Sequence, residues 1–187
     1  MNMSSSSGLI PDFLKNIFSG STEEKCMYVF RTNQLLERLK VNCSGNVHIA
    51  PLRETIALRM GFEIIKSAGG EDNSIVSRIN NDKDHALEGL VSAYIKSGTW
   101  AWQAVTSDED SRYFYRYLCA QLHPELQSEH RHGKYPRTTL YSQWLDDINS
   151  FKRISFSDLG RMDFSASAVG VFYHSMLPED FRKSKTS

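Results

Sequence analysis

The 187-residue chain has few cysteines (three), few prolines (five) and no net charge, with 22 basic side chains balanced by 22 acidic ones. Cys26, Cys43 and Cys119 are odd in number, far apart, and form no Cys-x-x-Cys or Cys-x-x-His pair. That argues against a disulfide framework and a zinc finger, and it fits a reducing compartment. Zero net charge excludes coating nucleic acid by bulk charge, which needs a cationic surface to displace counterions, but it leaves room for a local basic patch. Neutrality also gives little colloidal repulsion, so a homo-oligomer or a protein partner is expected. No run reaches the roughly 18 uncharged apolar residues of a membrane span. The N-terminus lacks the basic start and unbroken apolar stretch of a signal peptide. The expected location is the cytoplasm, or the host cytosol for a virus-encoded chain, with no membrane partner. No phosphate-binding glycine loop, GxGxxG or GxSxG occurs, and no cofactor is expected.

What is present is ordinary: 40% hydrophobic and 24% charged residues, enough to bury a core without metal or disulfide. Residues 1–8 are Ser-rich and expected to be disordered. Residues 9–20 read as an amphipathic arm, in which Leu9, Phe13, Leu14, Ile17 and Phe18 form an apolar face for a neighbouring subunit or partner. Helices are predicted over Glu23–Lys40, Pro51–Ser67, Ser74–Ile79, Asp84–Lys96, Asp108–Leu122, Thr139–Ser150 and Ser165–Met176, from apolar spacing and capping residues. Cys26–Phe30 is apolar enough to be a short strand instead, and Thr99–Thr106, with Trp100 and Trp102, reads as a strand or a buried helix start. The sum is a mainly α chain: a single helical domain of bundle type over 21–178, with about seven or eight helices and at most two short strands. Residues 179–187 read as a basic C-terminal tail.

Four residue sets carry candidate chemistry. The first is Arg116-Tyr-Leu-Cys-Ala-Gln-Leu-His123, whose end residues lie seven apart, nearly on one helix face and about 10 Å along its axis. Imidazole moves protons near neutral pH, and guanidinium grips phosphate in two places. The spacing resembles the Arg-x4–6-His element of HEPN ribonucleases, helical domains in which two copies face each other across a dimer. There the histidine and arginine assist attack of an RNA 2′-hydroxyl on the adjacent phosphate. The resemblance covers eight residues, and Tyr117 stands where the family often has a polar side chain. It implies metal-independent RNA cleavage with Arg116 and His123 as catalytic residues. The competing structural reading has Arg116 paired with Asp108 or Glu109 and His123 closing the helix at its C-terminus.

The second set is a basic and aromatic patch: Arg112, Tyr113, Arg116 and Tyr117 on one helix, then Arg131, Lys134, Tyr135 and Arg137 in the following loop. Arginines on phosphates and tyrosines stacked on bases suit single-stranded RNA or DNA. The third is Glu129, His130 and His132; neighbours in a loop make a poorly preorganised metal site, and no metal is assigned. The fourth spans Phe156–Ser175, where Asp158-Leu-Gly160, Phe164-Ser165 and Ala168-Val169 resemble the start of the helix-turn-helix of bacterial repressors. Its turn is one residue short, and its second helix would carry no Arg or Lys.

The expected function is therefore a non-enzymatic binding protein, regulatory or nucleoprotein-like, acting through self-association and the patch. The alternatives are a HEPN-like ribonuclease and a protein-partner inhibitor or adaptor that does not bind nucleic acid.

Overall fold

The computed structural model describes residues 24–69, 74–80, 84–105, 107–127, 152–154 and 167–187. The described chain is mixed α/β, not a helical bundle. In chain order it comprises β1 (Lys25–Thr32), α1 (Leu35–Ser44), α2 (Pro51–Arg59), β2 (Ile64–Gly69), β3 (Ser74–Ile79), α3 (Asp84–Ser97), β4 (Thr99–Ala104), α4 (Asp108–Leu122), β5 (Lys152–Ile154), β6 (Ala168–His174) and α5 (Pro178–Thr186). A four-stranded antiparallel sheet has the order β1-β6-β4-β5, and β2 and β3 form a separate two-stranded ladder.

The sheet is covered on both faces. On one, Phe114, Leu118 and Cys119 of α4 meet Val29, Ala101, Val169, Val171 and Tyr173. On the other, Leu35 and Leu39 (α1), Leu52 and Ile56 (α2), Val91, Tyr94 and Ile95 (α3) and Phe181 (α5) meet Phe30, Trp100, Trp102, Ala168 and Phe172. Alternation along β1, β4 and β6 sends successive side chains to opposite cores. Met27 is the extra residue at a bulge in β1, between the pairs Cys26–Tyr173 and Tyr28–Phe172.

β6 corrects the largest expectation. The sequence predicts a helix over Ser165–Met176, and Ala168–His174 is instead one of the two inner strands, paired on both edges and buried at all seven positions. A strand buried on both faces reads as a continuous apolar run, with no period of two to betray it. Gly170 belongs there because the Phe30 ring lies over it; an added Cβ would stand 2.3 Å from Phe30 Cζ. The second helix of the repressor-like motif would occupy this same stretch, so that resemblance fails at its reading element.

The helix expected over Pro51–Ser67 stops at Arg59. Its spacing of four through Leu52, Ile56, Met60 and Ile64 is coincidental beyond Met60. Gly61 takes φ +82, its N–H donates to Leu58 O at 2.9 Å, and the Phe62 N–H donates to Ala57 O at 3.0 Å. These two bonds are the Schellman closure that a left-handed glycine permits. The chain then leaves as β2, and the helix expected at Ser74–Ile79 is its partner β3. Likewise Cys26–Phe30 takes the strand option inside β1, and Thr99–Ala104 is strand β4. The predicted arm 9–20 and helix Thr139–Ser150 lie outside the described residues.

Two polar devices lock the layers. Arg53 of α2 is fully buried; its guanidinium reaches Glu88 Oε2 at 2.7 Å, Glu88 O at 3.1 Å and Asn42 O at 2.8 Å, joining α1, α2 and α3. The stretch 125–127 closes the outer edge of β1. The N–H groups of Glu125 and Leu126 donate to Cys26 O and Met27 O, and the Gln127 carboxamide pairs with both backbone groups of Val29. Residues 179–187, read as a basic tail, fall in α5 and its last residue: Phe181 is buried, Arg182 donates to Met60 O and lies over the Phe62 ring at 4.6 Å, and Glu179 pairs with Arg59 at 2.9 Å.

Candidate functional site: an arginine-lined surface beside the sheet

Helix α4 begins where the sequence signals it. The Ser107 hydroxyl oxygen accepts the Asp110 N–H at 3.0 Å, and Asp108, Glu109 and Asp110 occupy the positive end of the helix dipole. With Ser111, Phe114, Leu118 and Cys119 buried, the 3.6-residue period turns Arg112, Tyr113 and Arg116 to solvent. Together with Asp108 and Glu109 they line a shallow hollow of about 310 Å³. Tyr113 is 37% exposed. Tyr117, assigned to the same patch, is half-buried against the core below α4, and burial raises its phenol pKa above the ordinary value.

Arg31 reaches this helix from β1. It shares the Val29 side of the strand, and its Nη1 lies 2.7 Å from Asp108 Oδ1. Asp108 Oδ2 accepts from Arg112 Nε at 2.9 Å and Nη2 at 2.6 Å. One carboxylate thus bridges two guanidinium groups, and hydrogen bonding to Arg112 and Arg31 holds its pKa below the ordinary range. Beyond Arg31 opens a groove of about 980 Å³ whose walls include Asn33, Gln34, Arg38, Ile49, Asp108 and Ser111. Asp108 borders both depressions, so groove and hollow meet there. Arg38 and Arg116 have no ion-pair partner among the described residues, and Glu37, on the groove wall, pairs with Lys40 at 3.5 Å.

Arg31 and Arg38 were not singled out in the sequence. Nothing local marks them, because their place depends on the register of β1 under α4 and on where α1 sits. Arg131, Lys134, Tyr135 and Arg137, the metal candidates Glu129, His130 and His132, and the arm residues Leu9, Phe13, Leu14, Ile17 and Phe18 lie outside the described residues.

His123 and Arg116 do not share a helix throughout their spacing. α4 ends at Leu122, and His123 takes the left-handed conformation (φ 46, ψ 60), its backbone N–H donating to Cys119 O. The imidazole therefore leaves from a helix cap. Asp108 is taken by Arg31 and Arg112 and does not pair with Arg116. The described residues are built on a sheet and do not form the helical domain that the HEPN resemblance implies.

A second histidine looks catalytic at first distance. His174 Nε2 lies 2.9 Å from Ser97 Oγ. The Met176 N–H, however, donates to Nδ1 at 2.9 Å, which places the ring proton on Nε2. Nε2–H then donates to Ser97, whose hydroxyl donates to Tyr94 O at 2.9 Å. The imidazole is thus not placed to remove the serine proton. Stacked on Tyr94 at 4.0 Å and edge-on to Phe181, it joins β6 to α3 and α5.

Burial is the main cause that lowers the His174 pKa below its usual 6.5, against a smaller upward pull from Glu24. The folded state resists a proton that the unfolded chain accepts, so the contribution of His174 to stability is full well above pH 6.5 and is lost as pH drops toward the lowered folded value. Urea midpoints between pH 8 and 5 test this: the decline should flatten in His174→Gln, and a wild-type midpoint that does not move over that range would refute it.

Among the described residues no cluster of His, Cys, Asp and Glu is placed to hold a metal, and no helix is long and apolar enough to cross a membrane. No family model, curated protein or solved structure matches the chain.

Proposed function

We propose that this chain is a non-enzymatic binding protein that takes single-stranded nucleic acid along the surface from Arg38 through Arg31 and Arg112 to Arg116. The observation that carries the reading is the junction at Asp108, which makes one continuous surface of a groove and a hollow and gathers four guanidinium groups on it. Tyr113 supplies an exposed ring on which a base can stack, and Asn33, Gln34 and Ser111 supply polar contacts along the path. The chain is neutral overall, so attraction comes from this surface and not from bulk charge.

The test is fluorescence anisotropy with labelled oligo(dT) and oligo(U) across a potassium chloride series. Each phosphate contact contributes about 0.7 to the log–log salt slope for a single strand, so a wild-type slope of about 2 to 3 is expected from four arginines. The double variant Arg38→Ala/Arg116→Ala, which touches no ion pair described above, should lower the slope by about 1.4. Equal affinity and slope in the variant would sink the reading. Cleavage of the RNA probe in EDTA, lost in His123→Ala, would replace it with the ribonuclease alternative.

A further inference from the structure

We infer that Arg31 and Arg112 form an anchoring phosphate subsite on this surface and that Asp108 is its resident anion, an internal carboxylate that an incoming phosphate displaces. The inference rests on the binding reading above and adds a regulating residue to it. Three guanidinium N–H groups from two separate elements, β1 and α4, converge on the two oxygens of one carboxylate at 2.6–2.9 Å. That is the convergent, charge-assisted donor geometry with which arginines hold a phosphate. The Ser111 hydroxyl stands 3.5 Å from the same Arg31 nitrogen.

The resident anion is held loosely. Side-chain exposures are 40% for Arg31, 63% for Asp108 and 59% for Arg112. Ion pairs this open to water contribute little and weaken with salt. A phosphate brings more negative charge and more acceptor oxygens than a carboxylate, so it competes for the same donors. Arg53 marks the contrast: it has no exposed surface, and its partner Glu88 is only 17% exposed. Asp108 also stands where the groove and the hollow join, so every strand that runs the whole surface passes it. The carboxylate therefore lowers affinity for all such ligands by the cost of leaving its two arginines.

The experiment compares wild type, Asp108→Asn and Asp110→Asn. Asp110 lies in the same helix turn and its loss changes net charge equally, but neither arginine pairs with it. Oligo(dT) anisotropy should show binding about three- to fivefold tighter for Asp108→Asn. For Asp110→Asn the change should stay below about twofold, the effect of one screened charge. Equal gains in the two variants, or weaker binding by Asp108→Asn, would overturn the inference. Asp108→Ser, checked for fold by circular dichroism, guards against an effect peculiar to asparagine. If no protein binds the oligonucleotide, the nucleic-acid reading fails, and inorganic pyrophosphate then decides the subsite alone. A thermal shift by pyrophosphate in Asp108→Asn, larger than in wild type, keeps it, and equal shifts or none discard it.

Discussion

Replacing Glu88 with alanine is expected to lower stability by about 3–5 kcal/mol, the cost of leaving a buried charge without its partner. Arg53 has no exposed surface, and its Nε has no hydrogen-bond partner, so its charge is balanced by Glu88 and two backbone carbonyls. The effect is asymmetric. Arg53→Met leaves Glu88, whose side chain is 17% exposed and can be hydrated, so its loss should be smaller. Glu88 Oε1 also accepts the Val47 N–H at 2.8 Å, which Glu88→Ala orphans as well. The double variant Arg53→Met/Glu88→Leu should recover much of the loss, because an apolar pair of similar volume replaces an ion pair without stranding a charge. Urea unfolding gives the three values, and the melting temperature of Glu88→Ala should fall on the order of 10 °C. A loss below about 1 kcal/mol would mean that the guanidinium finds water or another acceptor.

Gln127 is expected to show the next largest effect. Its carboxamide accepts the Val29 N–H at 2.7 Å and donates to Val29 O at 2.8 Å, as a neighbouring strand would, while also donating to the Tyr115 hydroxyl at 2.7 Å. Val29 is fully buried, so Gln127→Ala leaves a buried donor and acceptor unpaired, each worth about 1–3 kcal/mol. A loss of about 2–4 kcal/mol is expected, with faster hydrogen exchange at the Val29 amide as the local signature. Q127E separates polarity from shape. Its ionised carboxylate accepts from the amide but faces the Val29 carbonyl with a second acceptor, whereas the protonated acid can donate to it. Its carboxyl pKa should therefore be raised in the folded state, so the contribution of this one group to stability is fullest below the ordinary carboxyl pKa and declines as pH rises through the folded value. A Q127E variant as stable as wild type at pH 7 would refute this account of the edge.

What could be read from the sequence follows from how local each signal is. Helix α4 forms over the predicted Asp108–Leu122, because Ser107 and three acids mark its start within one turn. Helix α3 forms over Asp84–Ser97, within a residue of expectation. The fold class could not be read this way. It depends on β6, whose apolar run suits a buried helix as well as a strand, and on a Gly61 turn that cuts a helix-like spacing in two. For the candidate surface, Arg112, Tyr113 and Arg116 come together because helical spacing alone places them on one face. Arg31 and Arg38 join them only through strand register and helix seating, and one sequence carries no local record of either. The same limit applies to Ser97 and His174, which meet across 77 positions.

The placing of β6 between β1 and β4 also bears on how the chain is made. Strands β1 and β4 share no hydrogen bonds with each other; β1 joins the sheet through residues 168–174, which also pair with β4. A ribosome adding about 5–20 residues per second leaves β1 without that partner for on the order of ten seconds after its own synthesis. Throughout that interval Met27, Val29 and Phe30 stand on a strand whose pairing edge toward β6 is open, a state that invites association between nascent chains. The order of strands along the message thus leaves this edge unpaired until the middle of the sheet has been translated, and added chaperone during synthesis is expected to raise the yield of folded chain.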